Sequence, residues 1–134
     1  MSENLDFKEL PIGADLGTRE IFIDKETVDN YAKIMQWDAR ELIDKLGIVP
    51  PGMTFSKQVG SGFEKVPGQY VAIWAKSEHE FFKPLKIGSK IFIHGKIVDK
   101  YVKRGKNYQV SEFETLDESG NVLLKSRETG IRIE

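Results

Sequence analysis

The chain predicts an α+β domain, with helices first and a long antiparallel meander after them. Three observations carry that prediction. Hydrophobic residues recur at helical spacing in the first half, and β-branched and aromatic runs take over from Gln69 onward. The turn sequences Arg104-Gly105-Lys106 and Glu118-Ser119-Gly120-Asn121 then join the later runs as hairpins. Helices segregated from a later antiparallel sheet define this class. A chain of 134 residues fits one domain with one core, and folding buries roughly two-thirds of the surface the unfolded chain exposes.

Residues 1–17 lack clear periodicity and are punctuated by Pro11, Gly13 and Gly17, which predicts an amino-terminal arm laid on the surface of a single domain spanning 18–134. Glu20-Ile21-Phe22-Ile23 reads as a short strand. Val28, Tyr31, Ala32 and Met35 stand at i, i+3, i+4 and i+7, one face of a helix that Asp24 can cap. Asp38, followed three residues later by Glu41, has the form of a capping box. It opens a helix of about two turns that carries Leu42, Ile43 and Leu46 and stops at Gly47. Pro50-Pro51-Gly52 breaks the chain before a third helix, whose buried stripe is Phe55, Val59 and Phe63. Gly60 and Gly62 each cost that helix about 1 kcal/mol relative to alanine, so their presence implies close packing against something flat, such as a sheet. Tyr70 to Phe82, Ile91 to Tyr101, Asn107 to Thr115 and Val122 to Ile133 are four long strand runs. One helix is too narrow to cover both faces of such a sheet, and long edge strands are ordinarily paired or covered. A dimer with a continuous sheet is therefore expected.

Composition removes several function classes. The 20 basic side chains against 21 acidic ones leave a net charge of −1, so nothing pulls in nucleic acid. No apolar run approaches the ~20 residues of a membrane-spanning helix, and the start MSENLDFKEL is too acidic and polar for a secretory signal. No membrane partner and a cytoplasmic location are expected. Without cysteine there is no disulfide framework, thiolate nucleophile or cysteine-ligated metal, and the sequence names no metal or redox cofactor.

Three stretches point further: Tyr31-Ala32-Lys33-Ile34 leading into an irregular segment, Val49-Pro50-Pro51-Gly52-Met53 opening the third helix, and Phe82-Lys83-Pro84-Leu85-Lys86-Ile87-Gly88 between strands. In this order and spacing they resemble the MaoC-like hydratases and dehydratases, in particular the amino-terminal-half type of two-part enzymes. The resemblance implies the hot-dog fold, a curled antiparallel sheet wrapped around a central helix, dimeric, with a ligand tunnel along the dimer interface. It implies an acyl chain on coenzyme A or an acyl-carrier protein as ligand. The implied activity is an (R)-type enoyl-thioester hydratase, which in reverse is a 3-hydroxyacyl thioester dehydratase. Pro51, Gly52 and Met53 are then the substrate-binding residues. Backbone N–H groups at a helix start carry partial positive charge and can hold a thioester carbonyl, and glycine lets the ligand approach closely. The plainer reading is that Gly52 makes the turn and Met53 fills core.

Active members of the family carry an aspartate, an asparagine-proline pair and a histidine after the first helix. A carboxylate and an imidazole set close together suit the two proton transfers that hydration requires. Here the stretch reads Gln36-Trp37-Asp38-Ala39-Arg40-Glu41-Leu42-Ile43. The asparagine, proline and histidine are missing. Asp38 meets the family aspartate only with one residue of slack, which puts Ile43 where the histidine belongs. Asp38 and His79 are the two catalytic candidates the chain offers, though Asp38 serves better as a helix cap. Around His79, the neighbours Glu78 and Glu80 point to the opposite face of a strand, and His94 reads as a mid-strand residue facing solvent. Lacking the dyad, the chain resembles the half that shapes the acyl tunnel while its partner supplies aspartate and histidine. The expectation is an acyl-thioester-binding subunit, inactive alone. It would pair with a second hot-dog subunit as a heteromer, or with itself, and serve fatty acid or steroid side-chain metabolism.

Two other readings compete. A hot-dog thioesterase needs a carboxylate that activates water beside the thioester, yet Met53 to Gly62 has none and Glu64 lies at the helix's far end. A non-enzymatic acyl-thioester-binding hot-dog protein would keep the fold without the chemistry. Lys96, Lys100, Lys103, Arg104 and Lys106 cluster around one hairpin, either as a landing site for coenzyme A phosphates or an acidic carrier protein, or as the charged guard of an edge. Trp37 and Trp74 read as core or interface residues.

Overall fold

The computed structural model describes residues 7–38, 40–51 and 71–133. Seven elements follow in order: β1 (Asp15–Phe22), α1 (Lys25–Ile34), α2 (Arg40–Leu46), β2 (Val71–Phe81), β3 (Lys90–Lys103), β4 (Lys106–Leu116) and β5 (Val122–Ile133). The five strands form one sheet in the order β1-β3-β4-β5-β2, with every neighbouring pair antiparallel. The expected central helix, with Gly52, Met53, Gly60 and Gly62, lies outside the described residues.

Turn chemistry sets the meander. Arg104 and Gly105 both have positive φ, +52° and +74°, as a two-residue turn between right-twisted strands requires. Lys103 therefore faces Lys106, and Tyr101 stacks on Tyr108 across the hairpin with ring centroids 4.8 Å apart. The second connection closes on Asp117, whose carboxylate accepts hydrogen bonds from the backbone N–H groups of Ser119 and Asn121 at 2.9 Å.

The core lies on one face of the sheet. Ile91, Ile93 and Ile97 alternate along β3 and are at most 2% exposed. Val28 and Ala32 of α1 and Ile43 of α2 pack into the same cluster, as do Val49, Leu85 and Phe113. Asp24 caps α1 as expected, its carboxylate accepting from the Thr27 N–H at 2.7 Å. Gly47, with φ of +63°, ends α2.

The first strand is longer than its sequence suggested. It begins at Asp15 rather than Glu20, because Asp15 accepts from the Gly17 N–H at 2.7 Å and a bulge there keeps the chain paired with β3. Of the residues ahead of it, Phe7 and Leu10 are buried, at 6% and 0% exposed. Lys100 holds this segment down, donating to the carbonyls of Phe7 and Lys8 at 2.9 Å while its ammonium sits 5.4 Å from the centre of the Phe7 ring.

Among the described glycines, Gly95 is the one closely packed by side chains. A Cβ there would meet the Phe113 ring at 2.7 Å and Leu16 at 3.3 Å, so glycine is what lets these two side chains close over β3. Gly95→Ala is expected to destabilise the protein by about 1–3 kcal/mol through overpacking, read as a lower midpoint in urea unfolding with an unchanged slope.

Candidate functional site

Two of the three motif stretches meet in space. The Val49 N–H donates to the Leu85 carbonyl at 2.8 Å, the Ile87 N–H donates to the Gly47 carbonyl at 2.7 Å, and Ile48 bridges Lys86. This stitch fixes the exit of α2 against the turn between β2 and β3. Beside it lies an apolar cleft of about 440 Å³. Ile48, Val49 and Pro51 line one part, and Phe81, Phe82, Lys83, Pro84 and Leu85 line the rest. Pro51 is exposed in its wall, whereas Gly52 and Met53 lie outside the described residues.

A second cleft of about 490 Å³ shares Lys83 and Pro84 with the first. Lys86, Lys90 and Ser89 line it, as do Asp117, Glu118 and Ser119, so its charge is mixed. The Asp117 carboxyl is held below the usual carboxylate range, first by the Asn121 side chain and backbone, with Lys83 adding a smaller attraction.

The expected catalytic candidates separate. Asp38 is exposed, two residues ahead of α2, and Glu41 falls in that helix's first turn. Ile43, at the position where the resemblance would put a histidine, is 1% exposed and belongs to the core. His94 is on the outer face, its Nε2 2.8 Å from the Asp15 carboxylate. The hairpin cations also divide, since Lys100 anchors the amino-terminal segment while Lys103, Arg104 and Lys106 are exposed at the tip. Trp37 packs partly buried against the core, and Trp74 is 59% exposed on the edge strand β2.

His79 is brought into a cluster that sequence reasoning did not assemble. Its Nδ1 lies 2.8 Å from Ser126 Oγ, directly across the β2–β5 pair. Ser77, two residues earlier on the same face, pairs with Glu128. His79 and Glu128 are thus diagonal neighbours, ~7 Å or less apart at Cβ. Burial lowers the His79 pKa and pushes the Glu128 carboxyl up to about 7. Glu78 and Glu80 pair with Arg127 and Lys125 on the opposite face, as strand alternation requires. Among the described residues, no group of three or more His, Asp and Glu side chains could hold a metal ion, and no helix is long and apolar enough to cross a membrane.

No family model matches the sequence, and no curated protein matches it. Solved structures do. A monoamine oxidase regulatory protein from Archaeoglobus fulgidus superposes with a TM-score of 0.76 at 15% identity, over 98% of this chain and 97% of that one. The (R)-hydratase PhaJ1 from Pseudomonas aeruginosa, unliganded, gives 0.69 at 15% identity, over 98% and 87%. The 3R-hydroxyacyl-ACP dehydratase complex HadBC from Mycobacterium tuberculosis gives 0.70 at 17% identity, over 90% and 96%. MaoC-like dehydratases are among the other matches. The chain has the hot-dog fold. Its arrangement is that of the MaoC-like dehydratases and (R)-hydratases, and at these identities the likeness is one of fold.

The raised Glu128 pKa has a consequence for stability. Between the ordinary glutamate value of 4.5 and about 7, the folded chain holds a proton that the unfolded chain has released, so stability is lost as pH rises through that window. Glu128→Gln removes this loss. The variant is expected to exceed the wild type by about 1–2 kcal/mol at pH 8, after allowance for the carboxyl's remaining contact with solvent, and by nothing at pH 4. Urea unfolding at the two pH values checks it.

Proposed function

We propose that this chain is the acyl-thioester-binding subunit of an (R)-type enoyl-thioester hydratase, or 3-hydroxyacyl thioester dehydratase, acting in the cytoplasm. The aspartate and histidine of the hydration reaction come from a second hot-dog subunit. The observation that carries the reading is the apolar cleft at the junction of the Val49-Pro50-Pro51 and Phe81 to Leu85 segments, where a hydrocarbon chain can leave water. A thioester carbonyl would be held by Pro51, Gly52 and Met53, the first of which lies in the cleft wall. Lys83, Lys86 and Lys90, around the adjoining cleft, supply cations for the phosphates of coenzyme A or for an acidic carrier protein.

Three further observations support it. Asp38 stands exposed and Ile43 is sealed in the core, so the stretch after α1 carries no acid–base pair of the family type. The edge strand β2 presents Ile73 and Trp74 more than half exposed, apolar surface of the kind a second subunit covers. The hot-dog fold is shared with a two-component 3R-hydroxyacyl-ACP dehydratase complex and with a protein from Streptococcus mutans bound to acetyl-CoA.

The test is loss of enoyl absorbance when a short and a long trans-2-enoyl-CoA are given to the purified chain, alone and with a candidate second subunit. Hydration that needs the second subunit is expected. Phe82→Asp, in the cleft wall, is expected to weaken long-chain acyl-CoA binding at least tenfold by calorimetry, about 1.4 kcal/mol, while leaving the unfolding midpoint within a small margin. Unchanged affinity would remove the cleft from the binding site.

A further inference from the structure

The two clefts differ in what they can hold. The first is walled mainly by apolar side chains, whereas three lysines and two carboxylates line the second. Lys83 and Pro84 line both, so a ligand long enough to pass these residues can occupy the two together.

The charges of the second cleft are not all spent on one another. Among the described residues, Lys86 has no carboxylate partner, and Lys83 is drawn toward Asp117 without forming an ion pair. Lys90 is held more firmly: its Nζ lies 3.7 Å from Glu20, and its backbone N–H donates to Glu118 at 3.4 Å. The Asp117 carboxylate is occupied by the turn it closes, accepting from the Ser119 and Asn121 N–H groups on one oxygen and from the Asn121 amide on the other. Glu118 takes only the one long bond, so most of the roughly four acceptor positions of a carboxylate stay open. Ser89 gives its hydroxyl proton to the Lys86 carbonyl at 2.6 Å, which leaves its oxygen to accept. The cleft thus sets cations and open acceptors side by side.

An acidic protein surface matches the lysines but brings its own carboxylates against Asp117 and Glu118, and like charges at an interface are costly. A carrier-borne pantetheine arm, ending in a single phosphodiester, would also leave a cleft of about 490 Å³ largely unfilled. A nucleotide meets both conditions. Its phosphates suit lysines, while the adenine amino group and a ribose hydroxyl are donors for a carboxylate. The cleft's size is ordinary for a small ligand, roughly 300–1,000 Å³.

We propose that the second cleft holds the nucleotide end of coenzyme A, with phosphates on Lys83 and Lys86 and base or ribose donors on Glu118, so that this chain takes its acyl groups from coenzyme A rather than from a carrier protein. The inference rests on the reading that the apolar cleft takes an acyl thioester, and it decides between the two thioester sources which that reading leaves open. Glu118 is then a specificity residue twice over, as an acceptor for the nucleotide and as a repelling charge toward an acidic carrier.

Calorimetry on the whole chain compares decanoyl-CoA, decanoyl-pantetheine, a decanoyl group on an acyl-carrier protein, and adenosine 3′,5′-bisphosphate. Decanoyl-CoA is expected to bind at least about tenfold more tightly than decanoyl-pantetheine or the carrier-bound group, and the bisphosphate to compete with it. The Lys86 side chain is exposed, so charge reversal there leaves the core alone. Lys86→Glu should weaken decanoyl-CoA at least about tenfold and decanoyl-pantetheine less than about threefold. Lys86→Ala should show a smaller loss with the same selectivity, and it carries the test if the reversed charge hinders folding. Equal binding of decanoyl-CoA and decanoyl-pantetheine, tighter binding of the carrier-bound group, or a Lys86→Glu loss shared equally by both small thioesters overturns the proposal and leaves the acyl cleft standing. Bisphosphate that binds as tightly as decanoyl-CoA instead removes the acyl cleft, because the acyl chain then adds nothing, and the choice of acyl source falls with it.

Discussion

The isoleucine stripe on β3 is the constraint from which the remaining architecture follows. Ile91, Ile93 and Ile97 share one face of the strand, with Gly95 at the position between the last two, and each contributes roughly 1.5–3 kcal/mol when fully buried. Leu10 and Leu16, Val28 and Ala32 of α1, and Ile43 of α2 supply the cover. Because α2 is tied to that core by Ile43, the chain leaving it at Gly47 arrives beside the turn after β2, where backbone hydrogen bonds lock it to Leu85 and Ile87. The cleft at this junction is thus a product of core packing at one remove.

Across the sheet the inner face changes character. On β3 it is aliphatic, while on β5 and β2 it carries Ser126, Glu128, Ser77 and His79. A polar lining has a definite cost, since each buried hydroxyl or carboxyl gives up hydration. Ser126 and His79 offset part of it with each other. Glu128 instead remains protonated up to about neutral pH, so its cost is displaced into pH dependence. An inner face built only for stability would carry leucine or valine here.

The strands and hairpins were legible because their turns impose backbone geometry that few residues tolerate. Arg104-Gly105 and Asp117 to Asn121 fix both ends of β4, and with them the registers of β3 and β5. The hot-dog resemblance was legible through Val49-Pro50-Pro51 and Phe82 to Gly88, which structure joins by hydrogen bonds. The beginning of β1 was not, because Asp15 and Gly17 look like loop residues until a bulge accommodates them. Glu128 was hidden for a different reason. From Lys125 to Thr129 every residue is polar, so alternation carries no phase, and only the register with Ser77 and Ser111 decides which side chains turn inward.

This distinction bears on how chemistry is lost or gained on a shared fold. Ile43, which stands where the resemblance would put a histidine, is sealed in the core at 1% exposure. It ties α2 to the hydrophobic cluster, so a histidine at 43 would bury an imidazole in the core with Val28, Ala32 and Leu85. Acid–base chemistry of the proposed kind would therefore come from another element or another subunit. A sheet register can bring such groups together: on the β2–β5 pair it places Glu128 and His79, 49 positions apart in sequence, as diagonal neighbours without any help from local sequence.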